Sequence, residues 1–141
     1  MTMKKIAIVG SRDYYKKQES REVINRVLNE LNLLYKDIEI VSGLARGADA
    51  LGEEFANENG IVFHPFPADW ETFGKSAGHI RNREMAEFSD IVIAFWDGKS
   101  RGTSNMISTS LNLGCEVWVW NYHNKSLSTF TKPTAKGGNY D

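Results

Sequence analysis

The sequence predicts an α/β fold in which helices cover both faces of an open, mainly parallel sheet of five or slightly more strands. Short continuous apolar runs such as 6–9 are typical of strands buried on both faces. Segments with apolar residues at helical spacing separate these runs. The resulting alternation of strand and helix favours parallel strands joined by crossover helices. A length of 141 residues, with 41% apolar and 25% charged residues, suits one soluble domain.

The first half of the chain alternates strand and helix in this way. In the first predicted helix, Val23 and Val27 lie on one apolar face because four residues make about one helical turn. Pro65 and Pro67 end the third strand, since proline removes a backbone donor. The predicted elements are strands over 6–9, 38–41 and 61–66 and helices over 18–34 and 48–59.

A long irregular stretch over 68–78 then interrupts the alternation. A loop of this length inside a compact domain is usually functional. The pattern resumes with a helix over 79–88, a strand over 91–95, a helix over 103–113 and a strand over 116–120. After that strand the sequence becomes polar and contains Pro133 and Gly137–Gly138. We therefore expect one domain over 1–120 and a polar C-terminal extension over 121–141.

Composition argues against several classes of protein. The net charge of −1 gives no global argument for a nucleic-acid or membrane partner. The single Cys115 cannot form an intrachain disulfide, and the three histidines lack the spacing of a metal site, so no metal or cofactor is predicted. The first apolar run ends at Gly10, which is too early for a signal peptide or a membrane span. These features predict a cytoplasmic protein.

Three glycine-bearing turns, over 10–12, 42–49 and 97–103, point to an anionic ligand. Each follows an apolar run, precedes a helix-like segment and carries an arginine or lysine. Such turns leave amide hydrogens and helix N-termini facing outward, which suits a phosphate group. In a sheet of this type ligands bind beyond the carboxyl ends of the strands. All three turns and the 68–78 stretch lie at those ends in the predicted fold.

The candidate ligand-binding residues come from these four segments and the helix that follows the long loop. Several have a structural alternative: Asp49 and Thr103 equally suit helix caps, and core packing is the commoner role of a residue such as Trp70. Neither a Walker loop nor a G-x-G-x-x-G fingerprint is present. The candidates are Gly10, Ser11, Arg12, Ser42, Gly43, Arg46, Gly47, Asp49, Asp69, Trp70, Lys75, His79, Arg81, Asn82, Gly98, Gly102 and Thr103.

The same motifs resemble the SLOG superfamily, which unites Smf/DprA-like and LOG-like Rossmann folds. The resemblance covers about residues 4–120 and rests on Gly-Ser-Arg at 10–12, Val-Ser-Gly-Leu-Ala-Arg-Gly-Ala-Asp at 41–49, the motif at 68–85 and Gly-Thr at 102–103. The chain is most similar to the small single-domain branch found in bacteria and phages. The resemblance implies a Rossmann-like three-layer fold, a nucleotide or nucleotide-derived ligand, and homo-oligomerisation.

Two better-known members of the superfamily suggest different activities. The turn over 42–49 resembles that of DNA-processing protein A, which binds single-stranded DNA. The segment 81–86 resembles the LOG phosphoribohydrolases, which cleave the N-glycosidic bond of nucleoside monophosphates, and it places Arg81 on an active-site arginine of those enzymes. Their catalytic glutamate, however, falls at Met106 here, and their Pro-Gly-Gly is replaced by the longer segment 96–101.

The departure at Met106 favours binding or sensing of the ligand without turnover. LOG-like hydrolysis is the first alternative, and it would need another carboxylate, for which the candidates are Asp69, Glu84 and Asp97. Binding of single-stranded DNA is the second alternative, against which the near-zero net charge counts.

Overall fold

A six-stranded sheet forms the centre of the protein in a computed structural model that describes residues 2–132. In space the strands are ordered β3-β2-β1-β4-β5-β6, with β1 to β5 parallel and β6 antiparallel to β5. The predicted α/β fold with a mainly parallel sheet is confirmed. The strands are β1 Lys4–Gly10, β2 Ile38–Ser42, β3 Phe63–Pro65, β4 Ile91–Trp96, β5 Glu116–Asn121 and β6 Ser126–Phe130.

Helices cover both faces of the sheet. Successive side chains of a strand point to opposite faces, so Ile6 and Ile8 of β1 pack with α1 and α2, whereas Ala7 and Val9 pack with α4 and α5. Two hydrophobic cores result, one on each face. No helix within residues 2–132 has both the length and the apolar character needed to span a membrane. The helices are α1 Lys17–Glu30, α2 Ala48–Glu58, α3 Trp70–Phe73, α4 Ala77–Phe88 and α5 Arg101–Asn112.

The sixth strand lies in the segment that the sequence predicted to be a polar extension. A turn after β5 is held by Asn121, whose side-chain oxygen accepts hydrogen bonds from the amides of His123 and Asn124 at 3.0 and 3.3 Å. The chain then returns as β6, in which only the side chain of Leu127 is even partly buried. Because β6 is an edge strand that faces solvent, it lacks the apolar run that marks the inner strands. Residues 133–141 of the predicted extension lie outside the described residues.

Several predicted boundaries also move, and three segments differ most from the prediction. The first helix ends at Glu30 rather than 34, because Asn32 adopts a left-handed conformation (φ 56°) and the amide of Leu33 returns to the carbonyl of Leu28 at 2.9 Å. The third strand is shorter than predicted, at Phe63–Pro65. The 68–78 stretch is not irregular throughout, since it contains α3 and the start of α4.

Candidate functional site

A crevice of about 500 Å³ opens at the carboxyl ends of β1 and β4. These two strands are neighbours at the centre of the sheet, and the connections that leave them run to opposite sides. This is the switch point of strand order, where ligands bind in open α/β sheets. The crevice is built by the segments that follow β1, β2 and β4 together with the N-terminal part of α4.

Most of the predicted ligand-binding residues meet in this crevice. Those that line it are Gly10, Ser11, Arg12, Arg46, Asp49, Trp70, Lys75, His79, Arg81, Asn82, Gly102 and Thr103. The predicted residues that do not line it are Ser42, Gly43, Gly47, Asp69 and Gly98. The other residues that line the crevice were not among the predicted ligand contacts, and they are Val9, Asp13, Ala45, Gly78, Met85, Ser100 and Met106.

Two glycines allow the turn after β1 to pack closely against the turn after β2 and against β4. The amide of Ala48 donates to the carbonyl of Ser11 at 3.2 Å. A Cβ on Gly47 (φ 78°) would collide with the backbone of Ser11 and Arg12, and one on Gly10 (φ 152°) would collide with the carbonyl of Phe95. Gly47 therefore lies behind the crevice wall and permits the close contact of the two turns that shapes it.

Two buried groups of opposite charge, Arg81 and Asp49, line one side of the crevice. Arg81 is 8% exposed and its guanidinium donates to the carbonyl of Gly43, while Asp49 is 5% exposed and accepts from the amide of Ala45 at 3.3 Å. A side chain at Gly43 would overlap both charged groups. Gly43, the first glycine of the second turn, therefore makes room for both groups.

Burial dominates the electrostatics of this pair. It raises the pKa of Asp49 to about 6, although the charge of Arg81 pulls in the opposite direction. Burial also lowers the pKa of Arg81, which remains a cation at neutral pH. Asp49 is therefore a strongly perturbed acid on the wall of the crevice, with a pKa of about 6.

The turn after β4 presents the N-terminus of α5 to the crevice. The Asp97 carboxylate accepts hydrogen bonds from the amides of Lys99 and Ser100 at 2.8 and 2.7 Å and from the Ser100 hydroxyl at 3.1 Å. The Ser100 hydroxyl also lies 3.0 Å from that of Ser11 on the neighbouring turn. The first amides of a helix have no acceptor within it, so those at the start of α5 remain available to a ligand.

Asn82 connects this helix end to α4. Its amide nitrogen donates to the carbonyl of Gly102 at 3.4 Å and to the side-chain oxygen of Asn105 at 3.1 Å. Its side-chain oxygen accepts from Nε of Arg81 at 3.2 Å. Asn82 thus holds the buried guanidinium and the N-terminus of α5 in one arrangement.

None of the three candidate catalytic carboxylates lines the crevice. Asp69 caps α3 by accepting from the amide of Thr72 at 3.0 Å, Asp97 holds the turn before α5, and Glu84 is exposed on α4. Asp13 and Asp49 are the acidic residues that do line it. Within residues 2–132, no three His, Cys, Asp or Glu side chains come together as a metal site would require.

The charge of the crevice is positive although that of the chain is −1. Arg12, Arg46 and Lys75 lie exposed at its rim, and Arg81 lies within it. The sequence signals that located these residues were the glycine turns and the long loop. Ser100 lies within the third glycine turn, but its contact with Ser11 joins two separate turns and is not visible in the sequence. Asp13 carried no comparable signal.

Comparison with known proteins gives three similarities. Residues 4–73, which include the first two glycine turns, match YAcAr, the YspA, cpYpsA-related SLOG family. The chain is 32% identical over 121 residues to the Gene 61 protein of Mycobacterium phage D29. The aligned region covers 82% of this chain and 94% of that protein. The X-ray structure of DNA processing protein A (DprA) from Streptococcus pneumoniae is similar in fold, with a TM-score of 0.64 and 22% identity over 83% of this chain. This chain spans half the length of that protein.

Proposed function

Because the chain belongs to the YspA, cpYpsA-related SLOG family, we propose that its crevice binds the phosphate of a nucleotide or of a nucleotide-derived molecule. The observation that carries this proposal is the meeting of four cationic side chains with a helix N-terminus at the switch point of the sheet. Arg12, Arg46, Lys75 and Arg81 line the same crevice as Gly102 and Thr103.

The two kinds of group complement each other chemically. Guanidinium groups match a phosphate in charge and in hydrogen-bond geometry. Free amides and the positive end of the helix dipole stabilise an anion at the start of α5. The hydroxyl groups of Ser11 and Thr103 supply further donors on the same side. A neutral ligand would leave these donors and charges without partners.

Met106 supports binding without turnover. It is 1% exposed, it lines the crevice, and it stands where the resemblance to LOG enzymes would put a catalytic glutamate. A thioether cannot accept a proton at neutral pH or stabilise a developing positive charge through ionic attraction. We therefore infer a binding or sensing role.

A ligand screen tests the proposal. Thermal unfolding is measured with a panel of nucleoside mono-, di- and triphosphates and dinucleotides. A ligand present at a hundred times its dissociation constant stabilises the folded protein by about 2.7 kcal/mol. If no member of the panel raises the melting temperature, the proposal is wrong.

Charge-removing variants then locate the site. Arg12→Gln and Arg46→Gln change exposed side chains, so both should fold normally, and each should weaken binding about tenfold by removing a charged hydrogen bond to phosphate. Arg26→Gln changes an exposed arginine on α1, outside the crevice, and serves as the matched control. Equal affinities in the control and the crevice variants would place the ligand elsewhere.

Hydrolysis of the ligand is a second candidate function, and the observation that favours it is the position of Asp49. It is the buried carboxyl group of the crevice, and a pKa of about 6 would suit a general acid or base near neutral pH. The test is incubation with nucleoside monophosphates and chromatographic detection of free base. Base release by the wild type that is lost in Asp49→Asn would establish turnover and overturn the binding-only proposal.

Trp70 gives a reason to test single-stranded DNA in the same experiments. Its side chain is 51% exposed beside the cationic rim, and exposed aromatic rings with nearby cations are the usual platform for unpaired bases. A gel shift at low salt that disappears at higher salt would support this role. Absence of a complex at low salt would remove it.

A further inference from the structure

Asp49 is an acidic group in the wall of a crevice that otherwise collects positive charge. Its side chain is 5% exposed, and it lines the crevice together with the cations Arg12, Arg46, Lys75 and Arg81. An anion that enters the crevice therefore approaches a buried carboxyl group as well as the cations that attract it. Because two negative charges repel more strongly where water is scarce, the charge state of Asp49 affects how tightly the anion binds.

The carboxyl group of Asp49 and the guanidinium of Arg81 lie close together around Gly43. A Cβ on Gly43 would lie 2.5 Å from Nη1 of Arg81 and 2.8 Å from Oδ2 of Asp49. The guanidinium also donates to the carbonyl of Gly43 and to the side-chain oxygen of Asn82, and Oδ2 of Asp49 accepts from the amide of Ala45. The surrounding structure thus holds both groups in place, and a ligand that reaches the guanidinium also comes close to the carboxyl group.

Groups of both signs face Asp49 from the elements packed around it. Arg12 on the turn after β1 and Arg81 on α4 favour the ionised carboxyl group, but burial favours the protonated form and has the larger effect, so the pKa of Asp49 rises to about 6. The negative charge of a bound phosphate acts in the same direction as burial. The other charged or titratable groups that line the crevice are Asp13, Arg46, Lys75 and His79.

We propose that anion binding in the crevice is linked to protonation of Asp49, so that the site binds its ligand tightly when this carboxyl group is neutral and weakly when it is ionised. This inference rests on the proposed function and adds a regulation of the same site, because the ligand is released as the pH rises. The linkage is reciprocal, since a bound anion makes Asp49 hold its proton more tightly.

Calorimetric titration of the wild type with sulfate at pH 5 and pH 8, at constant ionic strength, tests the linkage. Sulfate has the tetrahedral shape of phosphate and keeps two negative charges at both pH values, so a change in its affinity comes from the protein. We expect sulfate to bind about tenfold more tightly at pH 5 than at pH 8. A dianion and a carboxylate about 6 Å apart repel each other by this amount even with the dielectric screening of bulk water.

Asp49→Asn removes the titrating group and retains its shape. At pH 8 this variant should bind sulfate about tenfold more tightly than the wild type does, and at pH 5 the two proteins should bind sulfate equally. ADP is titrated as a nucleotide probe at pH 8, where its own protonation is the same for both proteins and cancels in the comparison. The variant should also bind ADP about tenfold more tightly.

His79→Gln is the matched control. His79 lines the same crevice, and histidine is the other side chain that commonly gains a proton between pH 5 and pH 8. The His79→Gln variant should keep the tenfold dependence of sulfate affinity on pH, which Asp49→Asn should lose. A dependence that is lost in His79→Gln and kept in Asp49→Asn would assign the linkage to the histidine and overturn the inference.

The remaining outcomes separate this inference from the proposed function. Equal affinity of the wild type for sulfate at pH 5 and pH 8 contradicts the linkage and leaves the phosphate site in place. Weaker binding of ADP by Asp49→Asn at pH 8 also contradicts it, since the carboxylate would then help to hold the ligand. If neither sulfate nor ADP binds the wild type at pH 5, the inference is wrong, and the proposed function fails with it only if the whole nucleotide panel fails.

Discussion

Replacing Asp49 with asparagine should make the protein more stable at neutral pH. The folded state raises the pKa of this carboxyl group from 3.8 to about 6, so it binds the proton more tightly than the unfolded chain does. Folding is therefore favoured by the protonated form, and stability is lost as the pH rises from about 4 to about 6. The full loss corresponds to about 3 kcal/mol. This value already includes the attraction of Arg81, because that attraction contributes to the pKa.

Asparagine imitates the protonated carboxyl group in shape and charge, and its oxygen can still accept from the amide of Ala45. The gain in free energy of unfolding should then be about 3 kcal/mol at pH 7.5 and about 1 kcal/mol at pH 4.5. Urea unfolding of both proteins at the two pH values, without added ligand, measures the difference.

Glu84→Gln is the control for this experiment, because Glu84 is an exposed carboxylate on α4 and its removal should leave stability within about 0.5 kcal/mol. If Asp49→Asn is no more stable than the wild type at pH 7.5, burial does not raise the pKa of Asp49. An equal gain at both pH values would contradict the prediction as well, since a titrating buried charge must produce a gain that depends on pH.

Two glycine substitutions test the structural and the ligand-facing parts of the site. Gly47→Ala should destabilise the fold by more than about 2 kcal/mol, because its Cβ would meet the backbone of Ser11. Gly60→Ala is the control: Gly60 also has a positive φ, but its Cβ would meet open space, so the change should cost about 1 kcal/mol. Urea unfolding measures the stability of both variants. Gly102→Ala should raise stability by up to about 1 kcal/mol, because its Cβ meets no atom within 4 Å at the start of α5. The same Cβ should weaken the best phosphate ligand about tenfold in calorimetry if the anion approaches this backbone, and unchanged affinity would place the phosphate away from α5.

The sequence predicts the layers of the fold because the burial of a strand or helix determines its pattern of apolar residues. Strands such as β1 and β4 are covered on both faces, so each is a continuous apolar run with a glycine or polar turn at its carboxyl end. Neither face of β6 is buried to the same degree as the faces of β1 and β4, so the sequence of β6 is as polar as that of a loop. The only indication of a hairpin in the sequence is the pair of asparagines at its turn, Asn121 and Asn124.

The sequence likewise predicts which segments form the site but not which atoms meet there. Asp49 and Arg81 are 32 positions apart, and their proximity depends on the packing of α4 beside the turn after β2. The carboxylates judged plausible for catalysis, Asp69 and Asp97, serve instead as acceptors for backbone amides in their own turns. Local hydrogen bonding of this kind is the ordinary use of aspartate in turns, and spacing along the chain does not distinguish it from chemistry.

The glycines of the three turns, which looked alike in the sequence, have different physical reasons for lacking a side chain. Gly47 is required by a backbone contact between two turns, Gly10 by the backbone of β4, and Gly43 by the buried charges of Arg81 and Asp49. Gly102 is required by none of these, since a Cβ there would meet open space. A helix interior favours alanine over glycine at such a position. We propose that the absence of a side chain at Gly102 allows a ligand to approach the amides of α5, and the chemistry of those amides favours an anion there.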